Sequence, residues 1–169
     1  MKETPQQYTK RILGYVDGKD PLKVQKSTAK KLQKLIKSLS KKQMKRRPLP
    51  ERWSIAEILA HLADTEVVGS WRMRLIMGSD GTPILGFDQD VWAKTFDYAN
   101  RDPKHSLRVF RTLRENNLAL LKSVPRKLWE NHGMHSERGK ETIALIVRMF
   151  AGHDMNHLRQ IEKITKSHR

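Results

Sequence analysis

The residues with the clearest capacity for chemistry are two histidines near the end of the chain. They belong to a run of apolar or imidazole side chains spaced by three or four residues: Ile143, Ile146, Phe150, His153, His157, Ile161 and Ile164. This spacing predicts an amphipathic helix whose core-facing stripe carries both histidines. Buried ring nitrogens need partners, and two imidazoles one turn apart can reach the same metal ion. His153 and His157 therefore predict a metal site; the alternative is a pair of hydrogen-bonded core histidines.

A third ligand is expected upstream, because only twelve residues follow His157 and His168 is the one histidine among them. His61 is the only histidine on the inner stripe of another predicted long helix. The remaining histidines are expected in a first helical turn or in a loop: His105, His132 and His135. Three neutral imidazoles leave coordination positions for water or substrate, which is typical of a catalytic metal site. Zinc is the first expectation and nickel the second, because imidazole ligands do not separate them.

The segment 153–157 also resembles the H-E-x-x-H motif of metalloproteases, with aspartate in place of glutamate. Aspartate is one methylene shorter and is a poor general base at this position. We therefore expect Asp154 to pair with another helix. Arg114 and Asn117, on the inner face of a third helix, are expected to pair with Asp64, Glu66 or Asp154, because buried charges are normally paired. Contact with a substrate anion or with a metal-bound water is the functional alternative for Arg114 and Asn117.

Four long helices must position these side chains. The clearest start is at Ser54, where Glu57 completes a capping box and Trp53 and Ile58 form a hydrophobic staple. Hydrophobic periodicity and capping signals predict long helices over 22–39, 55–77, 103–124 and about 141–166, with a shorter one over 4–16. The segments 83–100 and 126–139 are expected to be loops, the first with a short helical turn over 87–92, and Trp71 and Trp92 are expected to pack. The fold class is therefore an all-α four-helix bundle with long crossover loops.

Length and composition limit the alternatives. The 169 residues suit a single domain, in which 1–48 form a basic helical segment and 49–166 carry the motifs. The absence of cysteine excludes thiolate metal ligands and cysteine nucleophiles of the chain itself. No apolar run approaches about 18 residues and no signal peptide is evident, so we expect a soluble cytoplasmic protein without a membrane partner.

The net charge of +16 is concentrated at the N-terminal end. Residues 1–52 contain 16 lysines and arginines against 4 acidic residues. The basic segment 30–47 could attract nucleic acid or another anionic surface. A solvated helix face is the simpler interpretation, since no nucleic-acid-binding motif accompanies the charge.

Two blocks of the sequence resemble the DinB/YfiT-like superfamily. One is the W-S-x-x-E-I-x-x-H-L pattern that begins at Trp53, and the other is the H-D-x-x-H-L-x-Q-I pattern that begins at His153. The similarity extends from Trp53 to Ile164; the residues before Leu49 share only helical character. The resemblance implies a four-helix bundle with a long crossover. It also implies a divalent zinc or nickel ion held by one histidine of the second helix and the final H-x-x-x-H pair. Those ligands correspond to His61, His153 and His157.

The resemblance leaves the reaction open, because the family includes thiol-dependent S-transferases and isomerases, presumed hydrolases and damage-inducible proteins. We expect a metal-dependent enzyme, either a hydrolase or a transferase that uses a small-molecule thiol, and a homodimer. The alternative is a non-catalytic stress-response or binding protein, associated with nucleic acid through its basic segment. The segment 135–139 also resembles the family, but neither a role for His135 nor a substrate can be assigned.

Overall fold

The computed structural model describes residues 3–167, so that His168 lies outside the described residues. Helices dominate the described chain. In chain order the elements are α1 (Pro5–Gly14), α2 (Pro21–Ile36), α3 (Lys41–Lys45), α4 (Ile55–Gly78), β1 (Thr82–Ile84), α5 (Gln89–Thr95), α6 (Pro103–Ser123), a 3₁₀ turn (Arg126–Trp129), β2 (His132–His135), β3 (Gly139–Thr142) and α7 (Ile143–Ser167).

The four long helices α2, α4, α6 and α7 form a bundle, as the sequence predicted. Helix α4 packs against α6 and α7, and α2 packs against the same two helices. The diagonal pairs of the bundle are therefore α2 with α4 and α6 with α7. Since these diagonal pairs follow one another along the chain, the connection over 37–54 crosses one end of the bundle and the connection over 124–142 crosses the opposite end. This topology explains why the connections are long.

Local capping signals set where the helices begin. The side chain of Ser54 accepts a hydrogen bond from the Glu57 N–H, and the Ser54 N–H donates to Glu57 Oε2 at 2.8 Å. This capping box confirms the predicted start of α4 and places His61 in its second turn. Asp20 caps α2 by accepting hydrogen bonds from the Leu22 and Lys23 N–H groups, and it separates α2 from α1. The predicted helix over 22–39 ends at Ile36, and Ser40 then caps the short helix α3.

A small three-stranded sheet occupies connections in which no strand was expected. Strand β1 pairs with β2 in parallel, with Thr82 opposite Gly133, and β2 pairs with β3 in antiparallel. Strands of three or four residues are too short to show an alternating pattern. Because Glu141 belongs to β3, α7 begins at Ile143, two residues later than predicted.

Two large apolar clusters fill the bundle, and a third, smaller one joins Val16, Val24 and Ala151. One surrounds Phe110 and Ile161, and the other surrounds Ile76 and Ile143. Trp92 packs on Phe87 at a ring distance of 4.4 Å, as expected. The expectation that Trp71 packs was wrong: its side chain is 65% exposed, because it lies on the outer face of α4. No helix among residues 3–167 is both long enough and apolar enough to span a bilayer.

Helix α1 lies across α7 at a point of close backbone approach. A Cβ atom on Gly152 would lie 2.1 Å from the carbonyl oxygen of Ile12. Only a residue without a side chain allows the two helices to approach this closely. Gly152 directly precedes His153, so this contact brings α1 beside the predicted metal ligands.

Candidate metal centre

The structure brings together the three histidines that the sequence predicted as ligands. His61 comes from α4, and His153 and His157 come from consecutive turns of α7. The His153 Nε2 atom lies 2.9 Å from His61 Nε2 and 3.0 Å from His157 Nε2. Among the described residues, these three form the one cluster of three or more candidate ligands whose ligand atoms all lie within 4.8 Å of one another.

The donor geometry fits a metal ion. Nitrogen ligands of tetrahedral zinc, at 2.0–2.1 Å from the ion, are about 3.3 Å apart. The two observed separations are within a few tenths of an ångström of this value. A neutral imidazole carries one N–H, so the single Nε2 position of His153 can donate to only one of the two facing nitrogens. A cation that accepts all three lone pairs satisfies the cluster more fully than hydrogen bonds do.

His157 is oriented by Gln160 on the next turn of α7. The Nδ1 atom of His157 lies 2.9 Å from Gln160 Oε1. An amide oxygen there favours the tautomer with a proton on Nδ1, which leaves the Nε2 lone pair directed at the centre. His61 is held differently: its ring packs at 5.0 Å from the Trp53 ring. Its Nδ1 atom is buried and has no hydrogen-bond partner among the described residues.

Burial keeps the three imidazoles in the neutral form that a metal requires. It lowers the pKa of His61 and of His153 well below the usual 6.5, and the charge of His157 lowers both further. Burial also lowers the pKa of His157, to about 4. All three rings are therefore neutral at pH 7, so binding a metal ion there requires no deprotonation of the ligands.

Beside the histidines, a buried ionic network joins α4, α6 and α7. Arg114 donates to Glu66 Oε1 from Nε at 2.9 Å and to Asp154 Oδ1 from Nη2 at 2.9 Å. Asn117 donates to Glu66 Oε2 at 3.0 Å, and Thr28 donates to Asp154 Oδ2 at 2.7 Å. These contacts confirm that Arg114, Asn117 and Asp154 pair between helices. Both oxygens of Asp154 are engaged by other helices, as expected.

The other residues that the sequence analysis singled out lie outside the three-histidine centre. His105 is exposed at the start of α6, and His132 and His135 lie in β2. The side chain of Asp64 accepts from Arg101 and from Tyr98, not from Arg114. The basic segment has exposed lysines along α2 and α3.

A cleft of about 800 Å³ opens onto His153 and His157, while His61 lies deeper. Its walls come from α1, from the segments before α4 and at the start of α5, and from the C-terminal half of α7. This volume accommodates a small molecule. Asp90 lines the cleft, whereas Asp88 caps α5. No pattern in the sequence predicted that α1 would contribute to the cleft. The Gln160 contact, by contrast, could have been anticipated from its i, i+3 spacing to His157.

Comparison with known proteins supports this description. Residues 26–161 match the sequence profile of the DinB superfamily. A candidate metal-dependent hydrolase of Oceanobacillus iheyensis is 26% identical over 68% of this chain and 66% of its own length. Another, YfiT of Bacillus subtilis, is 23% identical over 68% of this chain and 65% of its own length. The chain thus covers just under two thirds of the length of these two relatives.

The fold is shared with a solved structure. YfiT from Bacillus subtilis, described as a candidate metal-dependent hydrolase with an unusual four-helix bundle topology, superposes with a TM-score of 0.81. The match covers 99% of this chain and 90% of that structure at 18% sequence identity. The comparison confirms the four-helix bundle and its uncommon connections.

Proposed function

The chain belongs to the DinB superfamily, and we propose that it is a metal-dependent hydrolase that holds a divalent ion through His61, His153 and His157. The convergence of three neutral Nε2 atoms at the base of a cleft carries this proposal. The description of two relatives as candidate metal-dependent hydrolases supports it. Zinc is the expected ion and nickel the alternative, because both accept imidazole ligands.

An ion held by three histidines would supply Lewis acidity toward a substrate oxygen and would make water a better nucleophile at neutral pH. The chain supplies the surroundings for that chemistry. Gln160 orients His157, Trp53 packs on His61, and the exposed edges of His153 and His157 face the cleft where a substrate enters. Asp154 is not the general base, because Arg114 and Thr28 occupy its oxygens.

Thiol transfer is the other reaction that this centre supports. The chain has no cysteine, so the thiol would be a small molecule that enters through the cleft. The cleft of about 800 Å³ is large enough to hold both a small thiol and an electrophile. This volume is the reason to retain thiol transfer as a second candidate reaction.

Elemental analysis of the purified protein tests the proposal. We expect about one zinc or nickel ion per chain in the parent, and loss of the ion in His61→Ala and in the double variant His153→Ala/His157→Ala. His105→Ala, an exposed histidine, is the matched control and should keep the ion. A parent chain that stays metal-free after incubation with zinc and with nickel would refute the ligand assignment.

Reaction class is then tested on the metal-loaded protein. Hydrolysis of a panel of aryl esters, amides and phosphate esters is compared with the transfer of a small thiol to an aryl halide. Activity that disappears on metal removal and returns with zinc or nickel supports the enzyme. Full metal occupancy without turnover in either panel would favour the non-catalytic alternative.

A further inference from the structure

The cleft beside the histidines is lined by more cationic than anionic side chains. Its cations are Arg11, Arg52, Arg159 and Lys163, and its carboxylates are Glu3, Glu51 and Asp90. One of these cations is neutralised within the cleft. Arg11 donates to both oxygens of Glu3, from Nε at 2.8 Å and from Nη2 at 2.7 Å.

The other three cations, Arg52, Arg159 and Lys163, form no ion pair with a carboxylate anywhere in residues 3–167. The guanidinium of Arg159 lies 4.3 Å from the centre of the Tyr15 ring. Stacking on an aromatic face orients a guanidinium and leaves its N–H groups free to bind an anion. Arg159 is therefore positioned on the wall of the cleft without a negative partner.

Arg159 and Lys163 lie on α7 within the length of a small molecule from His153 and His157. His153, His157, Arg159 and Lys163 all line the cleft and all belong to the same helix. Six residues separate His157 from Lys163, which corresponds to about 9 Å along the helix axis. Arg52 approaches from the loop that precedes α4. A ligand in the cleft can thus contact the histidine centre at one end and the cations at the other.

We propose that the substrate is a small molecule with a carboxylate or phosphate group, which binds at Arg52, Arg159 and Lys163 while its reactive group faces the three histidines. This inference rests on the proposed function, because it takes the histidine centre as the place of reaction. All three cations are exposed on the concave wall of the cleft, where an entering anion can reach them. Cations gathered on one concave surface raise the local concentration of an anionic ligand.

Isothermal titration calorimetry with matched probes tests the proposal, at about 150 mM salt so that long-range attraction is screened. The phosphate arm compares glycerol 2-phosphate with glycerol, and the carboxylate arm compares succinate with succinamide. We expect binding of at least one anion and of neither neutral analogue. The arm with the higher affinity identifies the anionic group. Each titration is run on the metal-free protein and on the zinc-loaded protein.

The double variant Arg159→Gln/Lys163→Gln should bind the preferred anion at least about tenfold more weakly, the low end for hydrogen bonds to charged groups. Lys166→Gln is the matched control: it also removes positive charge from α7, but it lies outside the cleft and should change the affinity less than about twofold. Circular dichroism establishes that each variant keeps the parent helix content.

The outcomes separate this inference from the proposed function. Equal binding of anions and neutral analogues would overturn the inference. So would a loss of anion affinity in Lys166→Gln that equals, per removed charge, the loss in Arg159→Gln/Lys163→Gln. If the anion site fails in either way but the three histidines bind zinc, the hydrolase proposal is unaffected. Anion binding that depends on Arg159 and Lys163 in a protein that binds no metal would support the anion site and refute the metal-dependent function.

Discussion

At the residue scale, the centre depends on histidines that stay neutral because they are buried. Burial lowers the pKa of all three histidines, and for His157 it lowers the pKa from 6.5 to about 4. Between these two values the unfolded chain takes up protons that the folded chain does not. The same burial that prepares the ligands for a metal therefore makes the metal-free fold sensitive to acid.

The metal-free protein should be most stable above pH 6.5 and should lose stability as the pH falls from 6.5 towards 4. His157 alone should contribute about 3 kcal/mol to this loss, at about 1.4 kcal/mol per pKa unit. Urea unfolding at several pH values measures the free energy of unfolding. The loss should be smaller in His157→Gln and unchanged in His105→Gln, which replaces an exposed histidine. An identical pH dependence in the parent and in His157→Gln would contradict the prediction.

Arg114 is the second residue on which the centre depends. Its side chain is 3% exposed, and it holds Glu66 and Asp154 between three helices. Burial lowers the pKa of Arg114, but the charges of Asp154 and Glu66 outweigh burial and raise it overall. Because Asp154 directly follows His153, one of the three candidate ligands, the network also fixes how α7 presents that histidine.

Arg114→Met should destabilise the fold by about 3–5 kcal/mol, because it leaves two buried carboxylates without their cation. Zinc affinity should also fall. Arg111→Met on the same helix breaks an exposed pair with Glu115 and should cost less than about 1 kcal/mol. Urea unfolding and zinc titration measure the two effects. Similar costs for the two variants would show that the buried network is not a main source of stability.

At the scale of helices, the centre depends on how closely α1 approaches α7. Gly152 leaves no space for a side chain against the backbone of Ile12. The contact lets α1 contribute Tyr8, Arg11 and Tyr15 to the cleft beside His153. A backbone atom cannot move aside as a flexible side chain does, so any larger residue at 152 must displace α1.

Gly152→Val should destabilise the protein by about 1–3 kcal/mol or more, as overpacking does, and should weaken zinc binding. Gly14→Ala in α1 is the control, because no atom lies within 4 Å of the Cβ position at Gly14. A glycine-to-alanine change there should leave stability unchanged or raise it by about 0.4–1 kcal/mol. Thermal unfolding and zinc titration check both variants, and full tolerance of valine at 152 would contradict the helix contact.

At the scale of the whole molecule, the uneven charge is the main feature that the histidine centre does not explain. Lysines 30, 31, 34, 37, 41 and 42 are all exposed on α2, α3 and the connection between them. Binding of nucleic acid through phosphate contacts on this face stays a proposal, which the salt dependence of binding tests. The homodimer expected from the resemblance stays a prediction, to be checked by sedimentation.

If the basic face binds double-stranded DNA, affinity should fall steeply with salt concentration. Replacing Lys30, Lys31, Lys34 and Lys37 with glutamine should reduce the slope of log affinity against log salt by up to about 3.6. A control variant replaces four exposed lysines elsewhere with glutamine: Lys122, Lys127, Lys140 and Lys166. Fluorescence anisotropy with a labelled duplex measures both slopes. Equal changes in the two variants would indicate attraction by net charge without a defined surface.

The sequence by itself determined the four long helices and the three candidate ligands. Periodicity predicted the four long helices, and the Ser54 capping box placed the start of α4, because both depend on residues a few positions apart. The same local spacing put His61, His153 and His157 on inner stripes. The requirement that buried charges be paired predicted the partners of Arg114.

Only the tertiary structure decided what depends on residues that are distant in the chain. The sheet forms because β1 meets β2 some fifty residues later, and no local pattern marks that pairing. The separation of about 3 Å between Nε2 atoms depends on the docking of α4 against α7. The unpaired cations Arg52, Arg159 and Lys163 line one cleft because the loop before α4 and the C-terminal half of α7 form its walls. Non-local packing therefore decided the geometry in which the predicted ligands can act.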